Sequence, residues 1–338
     1  MGPLEFLYYT GYKLKKSRDL KSRKRLPAKV ISVGNITVGG TGKTPAVIAI
    51  ARKAKEYGYL PCILTRGYRG SAKGPCFVSR GEGPLLGVDE AGDEPVLMAE
   101  RLTGVPIVKG SDRYEAGMFA LDCLDSPSLL FILDDGFQHQ ALHRDVDVLL
   151  IDGMNPFGNG KLLPAGILRE PLPEMGRADV VVITRVSRSG SDASEPTFWD
   201  RLIDTIRDHN PDALLYMAEH LPVGLMSSSG VERPVTALSG KSVVAFCGIG
   251  NPSSFEKTLL RLGAKVKEFL AFRDHFAYGR RDLSRIVAAA ERRRADWIVT
   301  TEKDIMRLKW FELPENLVSL RIEFTVDDSF YGAIFREG

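Results

Sequence analysis

The chain has 338 residues, 44% apolar and 26% charged, which is ordinary for a globular protein and enough for two domains. No run approaches the eighteen or so apolar residues that a membrane-spanning helix needs. The formal net charge of +3 is unevenly spread: residues 1–30 hold nine Lys/Arg against two acids, net +7, and the rest holds 37 against 41, net −4. So local an excess argues against nucleic acid as a partner.

The basic arm, "MGPLEFLYYTGYKLKKSRDLKSRKR", comes first. Leu4, Leu7, Tyr8, Tyr12 and Leu14 approximate one helix face, which Phe6 and Tyr9 widen. Lys and Arg follow at once, a pattern that suits a helix lying in an anionic membrane surface. The plainer alternative is a helix packed on its own domain with a solvated basic tail. Gly11 weakens either helix by about 1 kcal/mol. The basic residues follow the apolar ones, the reverse of a secretory signal. Cys62, Cys76, Cys123 and Cys247 form no Cys-x-x-Cys pair and read as thiols in a reducing compartment. Both features predict a protein that stays in the cytosol.

Short apolar runs then alternate with amphipathic stretches. "KVISVGN", "PCILTRG", "PIVKG", "LLFILDD", "VDVLLIDG" and "DVVVITR" read as strands, and "TPAVIAIARKAKEYG" and "DEPVLMAERLTG" as helices. This alternation predicts an α/β fold with a parallel sheet covered on both faces. Residues 185–197 form a polar loop, and "SSSGVERP" at 227–234 looks like a hairpin or linker. A new strand–loop–helix unit starts at "SVVAFCGIGNPSSF". The expected division is therefore an arm over 1–30, a nucleotide domain over 31–212, a linker over 213–238 and a smaller α/β domain over 239–338.

"KVISVGN" is followed by "TVGGTGKT" and a helix-like stretch. A strand, a Gly-rich loop and a helix N-terminus make an anion cradle, with backbone N–H groups and the helix dipole aimed at phosphate. The loop runs through Thr37, Gly39, Gly40, Thr41, Gly42, Lys43 and Thr44. Lys43 would reach the outer phosphates, and the Thr44 hydroxyl would ligate Mg²⁺. Thr37 stands where the first Gly of such loops usually stands. That position needs a small residue more than a positive φ. The plain alternative is a Gly-rich turn that binds nothing. A metal-holding acid is also needed at a nearby strand end. Asp134 and Asp135 supply it after an apolar run. Asp152, closing "VLLID", is a weaker rival.

The motifs "VGNITVGGTGKTP", "TRGYRG", "GDEP", "DDGFQH" with its following "RD", "LLPAGILREP", "FRDHFAY" and "TTEKD" occur in this order. Together they resemble tetraacyldisaccharide 4'-kinase, the lipid A 4'-kinase of Gram-negative bacteria, from the arm to about residue 305. The resemblance implies ATP- and Mg²⁺-dependent phosphorylation of the 4'-hydroxyl of a tetraacylated glucosamine disaccharide 1-phosphate. It implies a P-loop NTPase-like α/β/α sandwich and a second, smaller α/β/α domain, joined by a hairpin-like linker with the nucleotide in the cleft. It also implies peripheral attachment at the inner face of the inner membrane.

The resemblance assigns roles residue by residue. Glu170 in "LREP" becomes a further metal-side carboxylate, and Arg169 compensates phosphate charge. Asp93 in "GDEP" becomes the catalytic base and His275 in "FRDHF" its partner. From spacing alone Asp93 is the better candidate for a helix cap. If the two act together, the second domain must close over the first. Arg66, Tyr68 and Arg69 are candidates for the acceptor's phosphate or sugar, and Gln138 and His139 for the lining of the cleft. "TTEKD" receives no chemistry. Two rivals stay open: another phosphate-loop enzyme, and a nucleotide-gated membrane-binding module. For a GTPase, "TTEKD" lacks the spacing of a base-reading motif. In the membrane module, Asp93 and His275 would have no purpose.

Overall fold

A computed structural model describes residues 2–68, 70–185 and 198–336. Its contacts divide the chain into two compact units, one of Met1–Ala91, Met98–His220 and Phe324–Gly338, the other of Gly92–Leu97 and Leu221–Glu323.

The first unit opens with helix α1 (Pro3–Lys21) and then alternates strand and helix: β1 (Lys29–Gly34), α2 (Lys43–Glu56), β2 (Leu60–Thr65), β3 (Cys76–Ser79), α3 (Val88–Ala91), the last residues of α4 (Asp93–Arg101), β4 (Ile107–Lys109), α5 (Arg113–Cys123), β5 (Leu129–Asp134), β6 (Val146–Asp152), β7 (Val180–Thr184) and α6 (Phe198–His209). β8 (Leu214–Ser227) carries the chain into the second unit. The strand order here is β8-β7-β6-β1-β5-β2-β4-β3, with the bonds parallel except between β4 and β3. All six expected strands are present; β3 was not foreseen.

Parallel strands buried on both faces read as continuous apolar runs, and "LLFIL" and "VVVIT" are such runs. On one face Phe131, Leu133, Val30 and Cys62 pack with α5 residues Ala116 and Ala120. Further along the same face, as the pairings Ser32↔Leu133, Gly34↔Leu149 and Leu149↔Val181 require, Leu149, Ile151, Val181 and Ile183 pack with Leu202 and Ile206 of α6. Strand order reverses around β1, which lies between β5 and β6, and open α/β sheets bind ligands at such a switch.

The second unit adds β9 (Glu232–Arg233), β10 (Ser242–Cys247), α7 (Pro252–Arg261), β11 (Lys265–Ala271), α8 (Arg280–Arg293), β12 (Trp297–Thr301), α9 (Glu302–Met306) and most of β13 (Leu317–Val326). Its parallel order is β11-β10-β12-β13, and β9 returns antiparallel on β8 at Leu225↔Arg233. Its core joins Val243, Ala245, Phe255, Leu259, Val299 and Val318.

Two boundaries differ from the sequence division. Residues 92–97 group with the second unit, because Asp93 is tied there by ion pairs. Residues 324–338 belong to the first, because α10 (Asp328–Phe335) sets Phe335 against Tyr57 and Tyr59 with ring centroids 4.9 and 5.9 Å apart. Residues 186–197 of the expected polar loop lie outside the described residues.

The arm is one helix, but its expected face splits. Tyr8 donates to the Arg169 carbonyl at 2.9 Å, and Tyr12 donates to Glu170 at 3.4 Å. Buried Glu5 accepts from the Leu162 N–H at 3.0 Å, and Lys16 pairs with Glu174 at 2.6 Å. Leu4, Phe6, Leu7 and Leu14 point away and are 62–69% exposed. Among the described residues no helix is long and apolar enough to cross a membrane.

Ile206→Ala should lower the unfolding free energy by about 2–5 kcal/mol, since it leaves a cavity at a fully buried α6 position. Urea unfolding measures this, and nucleotide affinity should not change.

Candidate active site

The register Val33↔Asp134 sets the end of β5 beside the end of β1. The loop after β1 and the acids after β5 therefore emerge side by side. Gly34 makes this approach possible: a Cβ there would lie 2.6 Å from both the backbone nitrogen and the Cβ of Phe137.

The loop is built from both flanks. The Arg169 N–H donates to the Ile36 carbonyl at 2.7 Å and the Val38 N–H to the Ile167 carbonyl at 2.8 Å, so "TV" pairs with "ILR" as a short ladder. Thr37 takes part in this pairing, opposite Leu168. Gly39 and Gly42 have φ of 116° and 83°, the left-handed region that favours glycine. Gly42 caps α2, and a Cβ on it would lie 1.9 Å from the buried His220 ring. Thr184 donates to the Thr41 carbonyl at 3.0 Å and Arg185 to the Gly40 carbonyl at 2.7 Å. Asp152, the rival acid, is occupied with Arg185 and the Met154 N–H, so it anchors the loop's support.

Around the loop stands a charge network. Lys43 Nζ lies 3.5 Å from Asp135 Oδ1 and donates to Asn35 Oδ1 at 3.2 Å. Arg169 Nη1 reaches both Asp135 oxygens, at 2.9 and 3.1 Å. Burial would raise the Asp135 carboxyl, but Lys43 and Arg169 overcome it and hold it well below the usual carboxylate range. Asp135 adopts φ 51°, uncommon outside glycine, and is held there by these contacts. Asp134 accepts from Thr65 Oγ1 at 2.8 Å. Arg113, 3% exposed, donates to the Gly110 and Ser111 carbonyls; burial pushes it down to about 10 against the pull of Asp134 and Asp135. Gln138 Nε2 donates to the Asn35 carbonyl at 2.8 Å. His139 is pushed down to about 4 by burial and by Arg113, so it is neutral at pH 7.

The second unit holds its own cluster. Asp93 starts α4 and is 2% exposed, and its Oδ2 lies 3.1 Å from His275 Nδ1 and 2.9 Å from Arg307 Nη2. Lys303 Nζ is 3.8 Å from the same oxygen. Burial raises the Asp93 carboxyl, but His275, Lys303 and Arg307 together hold it well below the usual range. The expected Asp93–His275 pairing is therefore present, and it forms within one unit. Closure of one domain over another is not required to make it.

Other expectations are corrected or extended. Glu170 does not stand free as a metal-side carboxylate. It is fully buried, paired with Arg177 at 2.7 Å and bonded by Tyr12. The same Arg177 lies 3.6 Å over the Phe137 ring. Arg66 and Tyr68 are exposed after β2, and Arg69 lies outside the described residues. Asn35 and Arg113 were missed. Asn35 sat inside the quoted "VGN", and Arg113 follows Asp112, whose side chain caps α5 and disguises the stretch as a helix start. Among the described residues no three His, Cys, Asp or Glu side chains form a group that could hold a metal ion by themselves. Mg²⁺ usually arrives with phosphates and needs only one or two carboxylates. Asp134, Asp135 and the Thr44 hydroxyl fit that requirement as hard oxygen donors.

A Gly-rich strand-to-helix loop, its lysine and a paired acid at the switch point of a parallel sheet define a phosphate-loop nucleotide enzyme. The family model "Tetraacyldisaccharide-1-P 4'-kinase" matches residues 1–337, so the chain belongs to that family and is a phosphotransferase with an alcohol acceptor in lipid A biosynthesis. The tetraacyldisaccharide 4'-kinase of Syntrophus aciditrophicus is 42% identical over 93% of this chain and 85% of its own length. That of Halothermothrix orenii is 40% identical over 88% and 80%. The solved structure of LpxK from Aquifex aeolicus, in complex with ATP, superposes with a TM-score of 0.76 at 34% identity, covering 99% of this chain and 97% of that one.

Two outcomes test this geometry. Gly42→Ala should cost at least about 1 kcal/mol, from left-handed strain and the His220 contact. Gly40→Ala, with open space around it, should leave thermal unfolding unchanged. The second concerns pH. The Asp93 carboxyl is held below its unfolded value, so its stabilisation is complete above about pH 4 and fades as pH falls toward the folded value. The gap in urea stability between the native chain and Asp93→Asn should therefore stay constant above about pH 5 and narrow steadily as pH falls below about 4.

Proposed function

We infer that the two clusters divide the work of phosphoryl transfer from ATP to the 4'-hydroxyl of a tetraacylated disaccharide 1-phosphate. The loop amides and Lys43 hold the β- and γ-phosphates. Asp135 keeps Lys43 aimed and charged until phosphate takes its place beside the ammonium. Arg169 balances charge on the same oxygens. Mg²⁺ bound with the nucleotide, at Thr44, Asp134 and Asp135, supplies neutralisation of the phosphate charge.

Phosphoryl transfer asks mainly for positioning and charge, and it also asks for somewhere to put one proton. The acceptor oxygen bonds to the γ-phosphorus, the bond to ADP breaks, and the hydroxyl proton passes to Asp93. The Asp93–His275 contact at 3.1 Å is the observation that carries this assignment. The Asp93 carboxylate supplies the lone pair that takes the proton, and the imidazole orients it. Acceptor binding must uncover this carboxylate, which is 2% exposed. Arg66 and Tyr68, solvent-facing after β2, are the candidates for contact with the acceptor's sugar or phosphate.

The exposed face of α1 gives the lipid its place. Leu4, Phe6, Leu7 and Leu14 form an apolar stripe on a helix that also carries Lys13, Lys15, Lys16, Arg18 and Lys21. Such a helix seats peripherally in an anionic leaflet, here the cytoplasmic face of the inner membrane.

With radiolabelled γ-phosphate ATP, Mg²⁺ and the disaccharide in mixed micelles, label should appear on the lipid. Asp93→Ala should lose at least about a hundredfold in turnover. Label on the lipid with Asp93→Ala unimpaired would remove Asp93 as the base. For the arm, substitution is cleaner than truncation, because truncation also removes Glu5 and Tyr8 from their contacts. A Leu4, Leu7, Leu14→Ser triple variant should lose most partitioning onto anionic vesicles and keep ATP binding. Unchanged partitioning would reject the docking role.

A further inference from the structure

The "TTEKD" motif was left without chemistry by sequence, and the structure sets it against Asp93 and His275. Thr301 caps α9. Lys303, in its first turn, reaches His275 Nε2 at 3.3 Å, Glu94 at 3.2 Å, Asp274 at 3.5 Å and Asp93 at 3.8 Å. Arg307, one turn on, donates from Nε and Nη2 to Asp93 Oδ2 at 3.2 and 2.9 Å. Its Nη1 donates to the carbonyls of His275 and Phe276 at 2.8 and 3.2 Å. Both cations are mostly buried, at 18% and 12% exposure.

This geometry fixes a proton. A lysine ammonium has donors and no lone pair. At His275 Nε2 the donor Lys303 at 3.3 Å is nearer than the acceptor Asp274 at 3.8 Å. At Nδ1 the acceptor Asp93 Oδ2 at 3.1 Å is nearer than the donor Arg307 Nη2 at 3.3 Å, so the distances place the ring hydrogen on Nδ1, where Asp93 receives it. The acids around Lys303 keep it charged, since burial lowers its proton affinity but Glu94, Asp93 and Asp274 more than restore it. Arg307 ties the other end. His275 adopts φ 58°, a left-handed backbone that histidine rarely takes, and its carbonyl is bound by the guanidinium that also grips Asp93. All three side-chain donors converge on Oδ2. Oδ1 accepts only the Glu94 N–H, at 3.1 Å, among the described residues.

We propose that Lys303 and Arg307 are positioning residues for the phosphoryl transfer: Lys303 sets the His275 tautomer, and Arg307 locks Asp93 so that Oδ1 is the oxygen presented to the acceptor hydroxyl. This rests on the reading of Asp93 as the base. The groups facing Asp93 are His275, Lys303, Arg307 and the Glu94 N–H; those facing Lys303 are Glu94, Asp274, Asp93 and His275.

Two measurements on the full chain test it separately. In nitrogen-15 histidine spectra, with the His275 signals assigned by their loss in His275→Gln, the native protein should show Nδ1 protonated and Nε2 as acceptor. Lys303→Met should shift this toward a tautomer mixture, and Lys303→Arg should preserve it. A protonated Nε2 in the native protein, or an identical spectrum for Lys303→Met, overturns the proposal. In kinetics, Lys303→Met and Arg307→Gln should lower kcat by at least about tenfold with KM for ATP held within about threefold. Losing a neighbouring cation makes the base easier to protonate, so the acidic limb of kcat should move to higher pH. Lys303→Arg should recover most of the rate. Losses without a displaced limb, or matched by a fall in folded fraction, mean a merely structural role and overturn the proposal. If Asp93→Asn instead keeps native turnover, the base reading fails, and the tautomer spectra still decide whether Lys303 sets the ring.

Discussion

The placement of an ionised carboxylate beside buried cations organises both clusters. Asp93, 2% exposed, would be difficult to keep charged without His275, Lys303 and Arg307, and Lys43 and Arg169 hold the half-buried Asp135 ionised well below the usual range. Once the charges are committed, much of the local geometry follows. Arg169 can reach Asp135 only because "ILR" pairs with "ITV" along the loop's flank. Arg307 can reach Asp93 only because α9 begins where β12 ends, beside the His275 loop. In each case a left-handed non-glycine residue, Asp135 or His275, sits at the point of tightest constraint. Backbone strain of about 1–3 kcal/mol persists only where neighbours over-determine it, and both neighbourhoods do.

The strands were legible because burial on both faces leaves continuous apolar runs, and the phosphate loop because glycine spacing and Lys43–Thr44 carry their own mechanism. β3 was not legible, since four residues in a turn-rich stretch have too little period to read. Asp93 and His275 came from resemblance; spacing alone favoured a helix cap for Asp93, and Asp93 does stand at the start of α4. Asn35, Arg113, Lys303 and Arg307 were hidden for one reason. The charges and side chains that give them a place in the site lie far along the chain: Lys43 eight residues from Asn35, Asp134 and Asp135 at the end of β5 for Arg113, and Asp93 214 residues from Arg307. No local pattern encodes such pairings. Glu170 shows the converse. Its motif was readable, but its burial against Arg177 is a tertiary fact.

The arm shows how one helix face can be divided. Seen as a sequence, tyrosines and leucines looked like one apolar stripe. In the fold the tyrosine hydroxyls find partners on the domain while the leucines have none, so amphipathicity is set by hydrogen-bond opportunity as much as by hydropathy. Attachment to the domain and the exposed apolar stripe therefore depend on different residues of the same nineteen.

The return of α10 to the first unit bears on how the chain is made. The second unit's core is drawn from residues 225–322, a nearly continuous stretch. The first unit needs Phe330 and Phe335, which follow the second unit in the chain, and Phe335 packs against Tyr57 and Tyr59 just beyond α2. On the ribosome the second unit can therefore gather its core while the nucleotide unit still lacks its final helix. The surroundings of the phosphate-binding helix are then completed after the second unit, although the helix itself precedes that unit in the chain.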